Sequence, residues 1–411
     1  MKTKLMALAA LGVAIASTAS ATESRLRSIS GGAAGLRSSY KNVTFLDDRN
    51  IFVLPAELVK YGEWAAVETG DIGYTSFGFH YNFTPTLVLA MYGTSQDVPA
   101  LNLGAGGDNL DQSGCGFCIN GDAGATHKGT IILGVDTGSV RLGFLLAAWA
   151  DMAKDFDADE NLVKNEGPLV VQFAAGLGVG TAMGDLDFAL DLKIGLPTHE
   201  GLSGGDTAEP LTEQNQIDVG LLFRGTFPFS GPHELVPYVN LDVAFGSSTN
   251  LANDQQKSGL HFGVDLGMDI RLNLGDGITV QPGLGFGGRV TSIETTPDGG
   301  DPSINRAHEF ALPFYSLAVD VKVTDWFDIR FGGAQRVYWT WTSGEDGNGD
   351  PIASNSQANV DHFISTGVAF NLPAGVSIDV EVNNGWWRKG PYLLSGDGGG
   401  FGMSAAISKD W

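Results

Sequence analysis

Charged residues in this chain recur at every second position of long apolar runs, and that spacing decides what chemistry they can do. Asp185, Asp187, Asp191 and Lys193 alternate with Leu186, Phe188, Leu190, Leu192 and Ile194. Asp218 and Arg224 alternate with Ile217, Val219, Leu221 and Phe223, and Asp265, Asp269 and Arg271 with Val264, Leu266, Met268, Ile270 and Leu272. Asp242, Arg289, Asp328, Arg330, Arg336, Asp379 and Glu381 stand in similar runs. A period of two is a strand with one apolar and one polar face. A charge set against lipid is costly, so these residues belong on the inner face of a closed sheet. Inward charges then have two uses. In a water-filled lumen they tune which ions or solutes pass; in a filled lumen they pair and hold the wall together.

Other candidate chemistry is weaker. Asp155, Asp157, Asp159 and Asn161, followed by Glu166, place oxygens at calcium-like offsets, and Asp346, Asn348 and Asp350 form a second such run. Hard cations need several oxygens close together. Glu160 and Pro351 stand where an EF-hand needs Gly, so structural calcium in the loops competes with plain solvated charge. Cys115 and Cys118, in CGFC, are the only cysteines and read as a short-loop disulfide in an exported chain. Their Gly/Asn/Asp-rich surroundings lack the helix start that a redox Cys-x-x-Cys uses. The histidines are scattered, none beside a Ser or Cys catalytic signature, and GLGVG at 176–180 opens no helix. No enzyme is expected.

The elements that must position the charges are strands. The stretch from Leu260 to Val290 holds two alternating runs joined at Asp276–Gly277, each much longer than the usual soluble strand of about five or six residues. Sixteen candidates follow the same reading: 62–69, 72–83, 86–93, 129–137, 140–150, 168–181, 184–197, 215–229, 234–247, 260–274, 278–292, 309–322, 327–342, 359–372, 376–388 and 400–411. If the two weakest, at the start, drop out, fourteen remain. Tight turns alternate with long polar loops at 94–127, 151–167, 198–214, 248–258, 293–308, 343–358 and 389–399. Short periplasmic turns and long outer loops are the asymmetry of an all-β, antiparallel, up-and-down transmembrane barrel. Trp149, Trp339, Trp341, Trp386 and Trp387 fall toward one end of the strands, and Phe227, Phe229, Trp326, Phe327 and Trp411 toward the other, as two interfacial girdles would.

Three domains are expected. Lys2 and Lys4, the apolar Leu5–Ala16 and the Ala19-Ser20-Ala21 site predict a signal peptide over 1–21. Residues 22–61 do not alternate and predict a plug or a periplasmic segment, with Pro55 opening a short helix. Residues 62–411 make the barrel. Without Lys2 and Lys4 the chain has 22 basic against 47 acidic residues, a formal charge of −25, which excludes a nucleic-acid footprint.

The last stretch, FGMSAAISKDW, alternates and ends on an aromatic residue, and it resembles the C-terminal signal of bacterial outer-membrane β-barrels. That resemblance implies a porin-like outer-membrane protein of Gram-negative type, in contact with lipid and lipopolysaccharide and with the barrel-assembly machinery through its final strand. Asp47–Ala56, DDRNIFVLPA, is similar to the Asn-Pro-Ala segment of the FadL/PorV-type hydrophobic-compound transporters, with Leu54 in place of the Asn. The expectation is passive diffusion of small hydrophilic solutes or ions through a polar lumen, with a trimer by analogy to porins. The alternatives are FadL-like transport of hydrophobic compounds and a non-conducting scaffold for surface or secretion partners.

Overall fold

The structure, a computed structural model, describes residues 44, 48–69, 75–94, 127–150, 153–156, 162–166, 169–196, 212–250, 254–275, 277–382 and 403–410. The strands in chain order are β1 (Trp64–Thr69), β2 (Thr75–Thr84), β3 (Leu87–Thr94), β4 (His127–Asp136), β5 (Val140–Ala150), β6 (Ala153–Phe156), β7 (Leu162–Glu166), β8 (Leu169–Thr181) and β9 (Gly184–Leu196). They continue with β10 (Thr212–Ser230), β11 (His233–Asn250), β12 (Gln255–Asn273), β13 (Ile278–Thr296), β14 (Ser303–Thr324), β15 (Phe327–Glu345), β16 (Pro351–Leu372), β17 (Val376–Val382) and β18 (Met403–Asp410). Sixteen close into one antiparallel barrel, and β6 and β7 form a separate hairpin. β1 joins β18 at the seam, with Trp64 opposite Asp410 and Thr69 opposite Ala405. Both weak N-terminal candidates are strands, so the barrel has sixteen, not fourteen.

The period of two separates lipid from lumen. On β9, Phe188 and Leu190 are 43% and 47% exposed, while Asp187 and Asp191 are 0% and 3% exposed. Trp326, Trp339 and Trp341 are exposed, and Trp326 stacks on Phe370 beside Phe327 at the short-turn end. These outward aromatic residues occupy both ends of the wall, the arrangement of interfacial girdles. The fold and its outward apolar band place the protein in the outer membrane. Leu221, 48% exposed in the middle of β10, lies on that band. Leu221→Arg is expected to destabilise the barrel by about 2–4 kcal/mol, read as a lower midpoint in equilibrium unfolding from lipid.

Two glycines make one of the tight turns feasible. Gly275 and Gly277 flank the β12–β13 turn at φ 84° and 76°, a region costly for side chains with a Cβ.

The strands run further than their periodicity indicates. Much of the expected loops 248–258, 293–308 and 343–358 is strand: β11 reaches Asn250, β14 starts at Ser303 and β16 at Pro351. Beyond the lipid band both faces meet water, so polar residues occupy both and the alternation disappears while the ladder continues. Asn355, Ser356, Gln357 and Ala358 are all exposed in succession. The β15–β16 ribbon turns at Asp346, whose Oδ1 accepts the amides of Asn348 and Asp350 at 2.9 Å each. Those two amides hold its carboxyl below the usual carboxylate range. Asp346→Ala removes the side chain that fixes this turn and should raise protease cleavage at 346–350 with little effect on barrel unfolding.

Candidate functional site: a lumen closed from inside

The segment before β1 does not alternate because it is surrounded. Asp48–Phe52 and Pro55–Lys60 are short 3-10 helices, and Ile51, Phe52, Leu54, Ala56 and Leu58 are each 2% exposed or less. Pro55 opens the second helix, where its fixed φ suits the first turn and its missing N–H costs nothing. The segment packs on inward residues of the wall, among them Ala90, Ile132, Leu145, Ala147, Ala174 and Leu222. Ala90, Ala147 and Ala174 leave room for it there.

Glycines bring the two backbones together. A Cβ on Gly143 would lie 2.0 Å from the carbonyl carbon of Pro55, and one on Gly176 would lie 2.8 Å from the nitrogen of Ala56. A Cβ on Gly134 would meet Val59 at 2.8 Å. β4, β5 and β8 thus each place a glycine beneath the segment.

An ion-pair network fixes the segment in place. Glu57, fully buried, meets Arg224 Nη2 at 2.8 Å and Lys60 Nζ at 2.7 Å. Arg224, 1% exposed, also donates to Asp187 Oδ2 through Nη2 at 2.6 Å and Nε at 3.1 Å. Arg141 Nη2 reaches Asp187 at 3.1 Å and Asp185 at 3.3 Å, and Lys60 reaches Asp185 at 3.1 Å. A charge inside this wall is tolerable only with such partners.

A second anchor lies on the wall formed by β12 and β13. Thr44 Oγ1 donates to Asp269 Oδ2 at 2.7 Å, and the Thr44 carbonyl accepts from Arg271 Nη2 at 2.7 Å and Gln281 Nε2 at 3.2 Å. Asp269 and Gln281 flank the short β12–β13 turn, and Asp185 and Arg141 directly follow other short turns. The segment therefore crosses the lumen at the short-turn end, which is periplasmic in barrels of this kind. Glycine also shapes this wall: a Cβ on Gly283 would lie 2.0 Å from Asp269 Oδ1, so the carboxylate rests across the neighbouring strand.

The remaining sequence-derived lumen residues fall into separate groups. Arg289 meets Asp265 at 2.9 Å and Glu309 at 3.3 Å, and Arg336 pairs with the same Glu309. Arg330 pairs with Asp379, while Asp328 accepts from Asn371 at 2.9 Å. Asp191, Lys193, Asp218 and Glu381 are buried on the inner face. Asp187, Arg224 and Asp185 join the network on the segment, and Asp269 and Arg271 join the second anchor.

Sequence reasoning missed Thr44, Glu57, Arg141 and Gln281. Glu57 carried a signal, since an acid inside the apolar block VLPAELV must find a buried partner. Thr44 and Gln281 are uncharged and gave none. Among the calcium candidates, Asp157, Asp159 and Asn161 lie outside the described residues, as do Cys115 and Cys118, while Asp155 and Glu166 are in β6 and β7. Among the described residues no group of three or more His, Cys, Asp or Glu is arranged to hold a metal ion.

No family model and no curated protein matches the chain. Solved structures do. The alcaligin outer-membrane receptor FauA from Bordetella pertussis aligns over 85% of this chain and 75% of its own, at 7% identity and a TM-score of 0.39. The ferric yersiniabactin uptake receptor FyuA from Yersinia pestis aligns over 85% and 80%, at 10% identity and 0.33. The copper transporter OprC aligns over 85% and 80%, at 8% identity and 0.34. Two of these are named as receptors for particular ligands and one as a metal transporter; none is named as a porin, a FadL-type transporter or a scaffold.

The expectation of passive diffusion through an open polar lumen is corrected. Residues 48–60 occupy the lumen, with Glu57 and Arg224 sealed between segment and wall.

Proposed function

We propose that the protein is a gated, ligand-specific transporter of the outer membrane, in which Thr44 and residues 48–60 belong to the plug. The observation that carries this reading is the buried Glu57–Arg224 pair, which ties the plug to the wall at 2.8 Å. Parting it takes Arg224 from Glu57, which keeps Lys60, and Glu57 from Arg224, which keeps Asp187, at a cost on the order of 3–5 kcal/mol. A cost of that size keeps the plug seated in all but about one molecule in a hundred to one in several thousand. Opening then requires a ligand or partner that favours the displaced state over the seated one.

The test is conductance in planar bilayers. Refolded full-length protein without ligand should be silent, and the same chain lacking residues 48–60 should give large ohmic steps. Large steps from the intact protein would overturn the proposal.

A further inference from the structure

The lumen wall on the loop side of the plug carries a pattern that the plug does not use. On β8 to β11, carboxamides donate to carboxylates in three successive pairs. Gln172 Nε2 donates to Asp191 Oδ1 at 2.7 Å, Gln216 donates to Asp218, and Asn240 Nδ2 donates to Asp242 Oδ1 at 3.3 Å. An ionised carboxylate only accepts, so each amide must turn its nitrogen toward the acid and its carbonyl oxygen away. Gln172 Oε1 and Asn240 Oδ1, on side chains that are both 0% exposed, have no hydrogen-bond partner. A buried carbonyl oxygen left unsatisfied costs about 1–3 kcal/mol, and this wall keeps two of them within one acidic cluster.

The position fits capture from outside. Asp185 and Asp187, which hold the plug network, stand nearer the β8–β9 turn than Asp191 does, and Arg224 stands nearer the β10–β11 turn than Asp218. A molecule entering from the loop end meets the amide–acid wall before it meets the plug. The cross-strand register sets Gln172 opposite Lys193 and Lys193 opposite Asp218, so the pairs follow one another around the wall. From β8 to β11 is three strand spacings, about 14 Å. Three acids face one lysine there, and His261 is engaged by Asp242 at 3.0 Å and Thr291 at 2.8 Å.

We infer that this wall is the recognition site for an elongated, donor-rich organic cation, a linear polyamine or guanidinium chain on the order of 15 Å long. Its N–H groups would satisfy the Gln172 and Asn240 oxygens, and its charge would complement the carboxylates. This inference rests on the proposed gating and names its ligand class.

The test is calorimetry on the refolded full-length barrel, with spermidine as probe at fixed ionic strength. The expected result is saturable binding near one per barrel, weakened about tenfold by Asp218→Asn and by Asn240→Leu. Asp325→Asn, which removes the same charge from an exposed periplasmic turn, should leave it unchanged. No binding to folded protein, or equal weakening by all three substitutions, would overturn the inference. Bilayer recordings keep the two readings apart. Spermidine binding to an intact barrel that already gives large ohmic steps without ligand would sink the gating proposal and leave this site standing. A silent barrel whose deletion variant conducts, yet which does not bind spermidine, would do the reverse.

Discussion

Replacing Arg224 with Ala should turn a silent barrel into a conducting one. Arg224 bridges the plug acid Glu57 at 2.8 Å and the wall acid Asp187 at 2.6 Å, and it is 1% exposed. Its removal leaves Glu57 buried with Lys60 as its remaining close cation at 2.7 Å and Arg141 at 3.8 Å. The expected loss is on the order of 3–5 kcal/mol of plug docking, because one partner of a buried pair is gone and the other charge remains. The readouts are ohmic steps in a bilayer and faster proteolysis within 48–60, with barrel unfolding little changed. The double variant Glu57→Gln/Arg224→Met should recover much of the loss, since neither of those charges then lacks its partner and Arg141 still covers Asp187 at 3.1 Å. A double variant as leaky as Arg224→Ala would show that the pair does not hold the plug.

A substitution without any charge should have an effect of similar size. Gly143→Val places a Cβ 2.0 Å from the Pro55 carbonyl carbon, and the obstruction is backbone, which cannot swing aside as a flexible side chain would. The wall strand is fixed by ladders to β4 and β8, so the plug is the part that must move. We expect steady conductance and a protease-sensitive plug from an intact barrel. Gly129→Val on β4, where a Cβ would meet nothing within 4 Å, should stay silent. If Gly143→Val is silent too, the helix does not seat where the structure puts it.

Much of this architecture is legible in residue order, for a physical reason. Wherever one face meets lipid and the other a charged lumen, the two demands alternate along the chain, as in Asp187, Phe188, Ala189, Leu190 and Asp191. The signal fails where the environment becomes uniform. Residues 354–358 meet water on both faces, so the outer part of β16 reads as loop while its ladder continues. The plug fails in the opposite sense: Ile51 to Leu58 are enclosed on every side, and a short enclosed segment has no period to show. The inward placement of the charges follows from alternation, but their partners do not. Arg224 finds Glu57 across 167 positions of sequence, and only the closure of the ring determines that meeting.

The position of the plug in the chain also bears on how the molecule is made. The seam between β1 and β18 joins the first strand of the ring to the last, so the wall becomes continuous only after the final strand is in place. Thr44 reaches Gln281 over 237 residues, and that bond is available before the seam forms, once β12 and β13 are paired. A nascent sheet still open along one edge can curl around its own leader while water solvates the leader's charges. Pushing Glu57 into a finished ring would instead strip that water before Arg224 was reached. Synthesis order and topology therefore agree: the occupant comes first, and the vessel is completed around it.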